Sequence, residues 1–318
     1  MRAWRVTRHG APVEALELVD VPDPEPGAGQ VLVRVQACAL NFPDVLLCAG
    51  QYQERPALPF TPGLEVCGTV VGTGRTVIGG PVLPHGGLAE LAVLPADGCW
   101  DVPAGMPADE AAALLITYQT AYVGLHRRAG LRAGEWLLVT AAAGGVGSAA
   151  VQVGLAAGAR VIATAGGPSK VEVCRRLGAH EVIDYSTEDL AARVQEITGR
   201  HGADVVWDPV GGDVFDASRR CVAFEGRLVV VGFASGRIPE LPAGHVLVKN
   251  YSVVGLHWGL YRYRDPQVVA DAQRELGELY AAGRIRPLVS ERVPMAGAAD
   301  ALARLASRGT VGKLVVLP

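Results

Sequence analysis

The sequence is poor in several kinds of residue, and each scarcity excludes a class of protein. Only 19% of its 318 residues are charged and the net charge is −3, so no large positive field exists to attract nucleic acid or an anionic membrane. No apolar run reaches the roughly 18 residues that a membrane-spanning helix needs, and the N-terminal segment has no apolar signal core. Because 50% of the residues are hydrophobic, a disordered chain is excluded too. We expect a soluble, cytoplasmic protein without nucleic-acid or membrane partners.

Cysteine and lysine are also scarce. The six cysteines are scattered, without a C-x-x-C pair or the ligand spacing of a zinc site, so we expect neither a disulfide framework nor a metal. Lysine occurs only three times, as Lys170, Lys249 and Lys313, among 29 basic residues. Against an arginine-rich background, each lysine is more informative than usual.

The length suggests about two domains, and the pattern changes along the chain. The first hundred residues predict strands, such as 31–35 and 67–71, interrupted by glycine and proline. A helix follows, for which Asp109 is the expected N-terminal cap. From 136 onward, apolar strands alternate with helices every 20 to 25 residues, which is typical of a doubly wound parallel sheet. A helix at 266–282 and a strand at 313–317 end the chain.

These shifts predict an α/β protein in which one domain is inserted in the other. We place a nucleotide-binding domain at 120–255 and a β-rich catalytic domain at 1–119 and 256–318. Ala142-x-Gly144-x-x-Gly147 lies between the first strand of the parallel sheet and its helix. Small residues there allow a tight turn and a close backbone approach to a pyrophosphate at the helix N-terminus. The motif therefore predicts a dinucleotide site.

The second strand of this sheet indicates which dinucleotide binds. NAD-binding sheets usually place an acidic residue about 20 residues after the glycine loop, where it binds the ribose 2′-hydroxyl. Here the strand ends in Thr164-Ala165-Gly166-Gly167 without an acid, Lys170 begins the next helix, and Tyr185 ends the third strand. An ammonium and a phenol can bind a 2′-phosphate that a carboxylate would repel. The sequence favours NADPH over NADH.

Four blocks of sequence resemble one known family. They are Asn41-Phe42-Pro43-Asp44 with Gly50-Gln51-Tyr52, Pro62-Gly63-Leu64-Glu65, the loop 142–147, and Gly178-Ala179-x-x-Val182-Ile183-Asp184-Tyr185. The chain resembles, over essentially its whole length, the zinc-independent, zeta-crystallin-like quinone oxidoreductases of the medium-chain dehydrogenase/reductase superfamily. The resemblance implies a GroES-like β-rich catalytic domain with an inserted Rossmann domain, and a homodimer that pairs Rossmann edge strands, here 252–256.

The resemblance also implies where NADPH binds. The phosphate loop supplies Gly144, Gly145 and Val146, and the 2′-phosphate falls on Gly166, Lys170 and Tyr185, with Arg308 near the C-terminus. The remaining expected contacts lie beside the adenine ribose and the nicotinamide; they are Asn41, Phe42, Thr120, Val210, Gly232, Phe233, Ala234, Ser235, Leu256, His257 and Trp258.

The chain departs from the zinc alcohol dehydrogenases at a decisive position. Where those enzymes carry Gly-His-Glu, this chain has Gly63-Leu64-Glu65, and a leucine side chain cannot bind metal. Cys38 and His85 remain as isolated candidates without partners. We expect no metal.

Three functions fit these motifs. The first is NADPH-dependent reduction of a quinone, and the second is reduction of the C=C bond of α,β-unsaturated carbonyls or thioesters by an ene or enoyl reductase. The third is NADPH binding without catalysis. For both reactions we expect Asn41 to orient the acceptor carbonyl and Tyr52 to donate a proton to the developing oxyanion. Asp44 is expected to cap or orient the helix that follows Asn41.

The proposed role of Lys170 leads to a kinetic prediction. Replacing it in Lys170→Ala removes a cation from the 2′-phosphate of NADPH, which NADH lacks. We expect the KM for NADPH to rise far more than the KM for NADH, as measured by steady-state kinetics with each cofactor. An equal effect on both would show that Lys170 is only a surface lysine.

Overall fold

The computed structural model describes residues 1–318 and divides the chain into two compact units. The terminal unit joins both ends of the chain, Met1–Ile116 and Pro287–Pro318, and the inserted unit is Thr117–Arg286. The predicted domains were 1–119 with 256–318, and 120–255. The first boundary lies close to the predicted one, but the second lies at 286 and not at 255.

The elements are named here in chain order. The strands are β1 (Arg2–Val6), β2 (Leu16–Asp20), β3 (Gln30–Ala39), β4 (Val66–Val70), β5 (Thr76–Gly79), β6 (Leu91–Pro95), β7 (Cys99–Asp101), β8 (Trp136–Val139), β9 (Arg160–Ala165), β10 (Glu181–Asp184), β11 (Ala203–Asp208), β12 (Val222–Val230), β13 (Ser252–Gly255), β14 (Val289–Pro294) and β15 (Lys313–Leu317). The helices are α1 (Pro12–Ala15), α2 (Phe42–Cys48), α3 (Ala108–Ala112), α4 (Leu115–Tyr122), α5 (Gly145–Ala156), α6 (Pro168–Arg176), α7 (Leu190–Ile197), α8 (Gly212–Ser218), α9 (Ala243–Lys249), α10 (Tyr261–Arg264), α11 (Pro266–Ala281) and α12 (Ala298–Ala306). None of these helices has both the length and the apolar character needed to cross a membrane.

The terminal unit is built on a seven-stranded sheet in the order β14-β15-β3-β4-β5-β7, with β6 also paired to β3. Apart from the parallel pair β14 and β15, its strands run antiparallel. The sheet closes over a core that includes Phe60, Leu88, Leu94 and Val316. The strand contributed by the C-terminus, β15, lies next to β3, so both ends of the chain are needed to complete this unit.

The inserted unit holds a six-stranded parallel sheet in the order β10-β9-β8-β11-β12-β13. Counted along the unit, this is the order 3-2-1-4-5-6 of the Rossmann fold. The central strand β8 has the sequence WLLV, and its last three side chains are buried, as expected for a strand covered on both faces by helices. The strand order reverses between β8 and β11, which opens a crevice at their carboxyl ends.

Buried hydrogen bonds explain why the inserted unit extends past residue 255. Gln119 on α4 donates from Nε2 to Oε1 of Gln273 on α11 over 2.7 Å. At the end of the unit, the Tyr118 hydroxyl donates to the carbonyl of Arg286 over 3.0 Å. The first bond joins α4 to α11 and the second joins α4 to the last residue of the unit, and a period-3.6 pattern alone cannot reveal such pairings.

The expected N-terminal cap at Asp109 is wrong. The cap of α3 is Pro107, and Asp109 lies inside the first turn, where a carboxylate is stabilised by the helix dipole and forms an ion pair with Arg292. The single predicted helix is also divided into α3, α4 and a π-helical turn, Val123–Arg128.

Candidate functional site

The turn after β8 has the geometry of a phosphate-binding loop. Ala141 adopts a left-handed φ of 48°, and Gly144 is the N-cap of the twelve-residue helix α5. A Cβ on Gly147 would lie only 2.2 Å from the carbonyl oxygen of Ala141, so only glycine lets the helix approach the strand this closely. The motif read from the sequence therefore has the structural context that it requires.

The end of β9 carries the residues expected at the 2′-phosphate. A Cβ on Gly166 would lie 2.9 Å from the Tyr185 ring and hydroxyl, so the phenol packs directly on the glycine backbone. Gly167 has φ 83° and precedes α6, which carries Lys170 in its first turn. The Asp184 carboxylate accepts from the Gly167 amide over 3.0 Å. The hydrogen bond from the Ser186 hydroxyl is the largest of the effects that lower the pKa of Asp184, and the backbone hydrogen bonds from Gly167 and Ser186 add to it. The structure thus brings Gly166 and Tyr185 together and places Lys170 on the adjoining helix.

The loops that follow β11 and β12 are joined by hydrogen bonds. The Ser235 amide donates to the Val210 carbonyl over 2.9 Å, and the Ala234 amide donates to the Pro209 carbonyl over 3.1 Å. These bonds unite the expected cofactor residues at 210 and 232–235 into one cluster at the carboxyl edge of the sheet.

Asp208, which the sequence analysis did not identify, holds this cluster to the central strand. Its carboxylate accepts from the amides of Val210 at 2.9 Å and Gly211 at 3.1 Å. It also accepts from the Thr140 hydroxyl at 3.1 Å, which follows β8. Burial raises the pKa of Asp208, against the opposing effect of these hydrogen bonds.

A second missed residue, Gln119, connects the expected nicotinamide neighbours. The indole Nε1 of Trp258 donates to Oε1 of Gln119 over 3.1 Å, and Gln119 is bonded in turn to Gln273. Thr120, the next residue on α4, is buried, as are Leu256 and Trp258. Gln119 therefore links two expected site segments that are far apart in the sequence, Thr120 and 256–258. Within the second segment, His257 is exposed.

The other expected site residues belong to the terminal unit. Asn41 is buried at the start of α2, and Phe42 and Tyr52 are partly buried. The Tyr52 ring packs against the core of this unit. Arg308 is exposed just after α12, with a left-handed φ of 60°.

The contacts of Asn41 require a correction to its expected role. Its Nδ2 donates to the Ala39 carbonyl over 3.1 Å and to Oε1 of Glu65 over 2.9 Å, and its Oδ1 accepts from Nζ of Lys313 over 2.6 Å. Both amide hydrogens are used inside the protein. The expectation that Asn41 orients an acceptor carbonyl is therefore not supported, because no amide hydrogen is left for that bond.

Glu65 and Lys313 form a buried ion pair beside Asn41. The Lys313 Nζ lies 2.8 Å from Oε1 of Glu65, and the two side chains are 3% and 0% exposed. The second carboxylate oxygen of Glu65 accepts from the Ile116 amide over 2.7 Å. Lys313 was notable in the sequence only as one of three lysines, and its partner Glu65 was notable only as part of a motif.

Asp44 completes this buried cluster, as its expected capping role predicts. Its carboxylate accepts from the backbone amides of Asn41 and Gly63, each over 2.9 Å. Burial raises the pKa of Asp44 to about 6, while the two backbone amides and the Lys313 ammonium oppose that rise. Asp44 is therefore a carboxyl group that titrates near neutral pH inside the core.

The residues of the terminal unit do not fit a zinc ion. The structure contains no group of three or more His, Cys, Asp and Glu side chains able to hold a metal. Burial raises the pKa of the Cys38 thiol far above its usual value, which opposes the thiolate that zinc requires. Glu65 is already bound to Lys313, Asn41 and Ile116, and Leu64 has no donor atom.

A Rossmann unit inserted in a β-rich unit, with a glycine loop at its switch point, defines a dinucleotide-dependent dehydrogenase or reductase. Two family models agree with this class: Alcohol dehydrogenase GroES-like domain matches residues 27–104, and Zinc-binding dehydrogenase matches residues 145–274.

Individual relatives define the family more closely. A quinone oxidoreductase-like protein 2 homolog of Nematostella vectensis is 41% identical over 91% of this chain and 82% of that protein. A quinone oxidoreductase of Pseudomonas aeruginosa is 38% identical over 98% and 97%. The solved structure of the Thermus thermophilus quinone oxidoreductase, described with its NADPH complex, has a TM-score of 0.88, 38% identity and full coverage of both chains. The chain belongs to the quinone oxidoreductase family of the medium-chain dehydrogenase/reductase superfamily.

The raised pKa of Asp44 predicts how stability depends on pH. Because the folded-state pKa of about 6 exceeds the usual aspartate value of 3.8, this group contributes stability below about pH 4 that is lost as the pH rises through 6. Between about pH 5 and pH 7.5, we expect the free energy of unfolding to fall by roughly 1 kcal/mol from this source. The measurement is chemical denaturation across this range.

Asp44→Asn should flatten that pH slope, whatever its effect on overall stability. Asp97→Asn, at an exposed position of the same unit, is the matched control and should keep the slope of the unchanged protein. Equal slopes for Asp44→Asn and the unchanged protein would contradict the assignment to Asp44.

Proposed function

We propose that this protein is an NADPH-dependent oxidoreductase that transfers hydride to a quinone. The observation that carries the cofactor assignment is the packing of Tyr185 on Gly166, at a strand end without the acidic residue that would bind a ribose hydroxyl. Family membership carries the assignment of the acceptor, because the relatives named above are quinone oxidoreductases.

The residues present fit NADPH. The N-terminus of α5 and the loop at Gly144, Gly145 and Val146 offer backbone amides to the pyrophosphate, and Gly166, Lys170 and Tyr185 are proposed for the 2′-phosphate. Asp208 binds the amides of Val210 and Gly211, and Val210 is bonded in turn to Ser235; Gln119 binds Trp258. The residues assigned to the adenine ribose and the nicotinamide are Val210, Gly232, Phe233, Ala234, Ser235, Thr120, Leu256, His257 and Trp258. When bound, the cofactor supplies a hydride from its reduced nicotinamide.

A quinone that takes up a hydride also needs one proton at the oxygen that becomes negatively charged. We assign that proton to the phenol of Tyr52, which regains it from water after the hydroquinone leaves. The Tyr52 ring is held against the core, so the hydroxyl is carried on a fixed side chain. Asn41 is not a second donor, because both of its amide hydrogens are used internally.

We propose that the reaction needs no metal. Three observations support this. Leu64 stands where a zinc enzyme has a histidine ligand, burial keeps Cys38 protonated as a thiol, and the Glu65 carboxylate is already bonded to Asn41 and Lys313. Metal analysis of the purified, active protein should give less than one zinc per chain; one zinc per chain would overturn the proposal.

Six free, buried cysteines are consistent with a reducing compartment, which supports the proposed cytoplasmic location; fractionation of the source cells would test it.

The proposed acceptor is tested by turnover. Purified protein should oxidise NADPH with members of a quinone panel and should act much more slowly on a panel of α,β-unsaturated ketones and thioesters, as followed by NADPH absorbance. Faster turnover of the unsaturated carbonyls would replace the proposal with an ene or enoyl reductase. Tight NADPH binding without turnover on either panel would indicate a binding protein.

The proposed proton donor is tested separately. Tyr52→Phe keeps the ring and removes the hydroxyl, so we expect kcat for a quinone to fall at least about tenfold, since positioned acid catalysis commonly contributes 10² or more. The Kd for NADPH should remain within about twofold, because the assigned phosphate contacts are elsewhere. Tyr263→Phe, at an exposed tyrosine of the inserted unit, is the control. An unchanged kcat in Tyr52→Phe would remove Tyr52 from the mechanism.

We also propose a homodimer that pairs β13 of two chains. This strand is the edge of the parallel sheet and pairs only with β12, and edge strands offer unpaired backbone groups to a second copy. Light scattering should give twice the mass of one chain. Val254→Asp in β13 should favour the monomer, whereas Val13→Asp, at an exposed valine of the terminal unit, should not. A monomeric unchanged protein would refute the dimer.

A further inference from the structure

Lys313 is the feature of the terminal unit that the proposed reaction leaves unused. It begins β15 and is buried, although ammonium groups are rarely buried without strong reasons. Its Nζ donates to three acceptors: the Leu40 carbonyl at 2.7 Å, Oδ1 of Asn41 at 2.6 Å and Oε1 of Glu65 at 2.8 Å. An ammonium has three hydrogens to donate, so all of them are used and Lys313 does not itself serve a substrate.

All three acceptors lie close to the start of one helix. Leu40 and Asn41 form the turn from β3 into α2, and Asn41 is the N-cap of that helix. Glu65 fixes the Asn41 amide from the other side, and Asp44 in the first turn returns a bond to the Asn41 backbone. The ammonium thus binds the turn that leads into α2 and fixes the orientation of its N-cap side chain.

The other end of α2 leads directly to Tyr52. Gly50 adopts φ 68°, and a Cβ there would lie 2.9 Å from the His9 ring, so glycine is required at this helix end. The Gln51 amide donates to the Leu46 carbonyl over 2.8 Å, and Tyr52 follows. The seven residues of α2 span only about 10 Å, so a shift at Asn41 is transmitted to the Tyr52 backbone.

A buried ion pair is weak support for a purely stabilising role. Replacing such a pair with apolar residues of similar volume is often neutral or stabilising, whereas a pair can fix one geometry among several. An apolar side chain at 313 would fill the same space but could not donate to Oδ1 of Asn41, so it would not fix the orientation of that amide.

We propose that Lys313 is a positioning residue for the proton donor, acting through Asn41 and helix α2 to hold Tyr52 in its productive place. This inference rests on the proposed function of Tyr52. It assigns no contact with substrate to Lys313 and no proton transfer to the ion pair.

The test is a double-mutant cycle between Lys313→Met and Tyr52→Phe, measured as kcat for one quinone at saturating NADPH. Rates are taken per NADPH-binding protein, at a temperature well below the melting transition of every variant. Lys313→Met should lower kcat about tenfold in the unchanged background and less than about threefold in the Tyr52→Phe background. The Kd for NADPH should stay within about twofold in both.

A second variant separates positioning from folding. Lys313→Met leaves Glu65 buried without its counter-charge, so it is combined with Glu65→Gln, which removes that charge and keeps one acceptor oxygen for either the Asn41 or the Ile116 donor. We expect the double variant to recover part of the thermal stability lost in Lys313→Met but none of its kcat. Lys249→Met, at an exposed lysine, is the control for loss of a lysine and should change neither quantity.

Each outcome has a defined meaning. Recovery of kcat together with stability, equal effects of Lys313→Met in both backgrounds, or an unchanged kcat in Lys313→Met would overturn the positioning role while leaving Tyr52 as donor. A silent Tyr52→Phe would overturn the donor, and the positioning inference with it.

Discussion

One buried carboxylate, Glu65, joins segments of the terminal unit that are far apart in the sequence. It binds residues 24, 51 and 248 positions away: Asn41, Ile116 and Lys313. These partners come from the end of β3, from the last residue before the inserted unit, and from the C-terminal strand. Because a buried charge is costly unless it is paired and hydrogen-bonded, these segments must assemble together. That requirement explains physically why the two ends of the chain form one unit.

The inserted unit uses a buried carboxylate in a comparable way. Asp208 accepts from Thr140 at the end of one strand and from Val210 and Gly211 after another. It therefore fixes the spacing of two loops at the switch point of the sheet. In both units a buried carboxylate thus joins segments that are separated in the sequence.

Local patterns predicted much of this fold. The alternation of apolar strands and helices after residue 136 predicted the parallel sheet, and the glycine spacing predicted the turn at Gly147, because both depend on neighbours in the sequence. The second domain boundary, the cap at Asp109 and the role of Asn41 were mispredicted. Each depends on a partner far along the chain: Gln273 for Gln119, Arg292 for Asp109, and Lys313 for Asn41. A local sequence pattern includes only neighbouring residues, so it gives no information about such a distant partner.

The packing of Tyr185 on Gly166 has a consequence for how cofactor preference can evolve. An acidic side chain at 166, the simplest way to recognise a ribose hydroxyl, would place its Cβ 2.9 Å from the Tyr185 ring, closer than side-chain atoms normally approach. The contacting atoms are the tip of a half-exposed side chain, so the ring has to move aside to admit the acid. A single substitution at residue 166 would therefore add a group for the ribose hydroxyl and displace the phenol that we assign to the 2′-phosphate. The two preferences are coupled through this one contact.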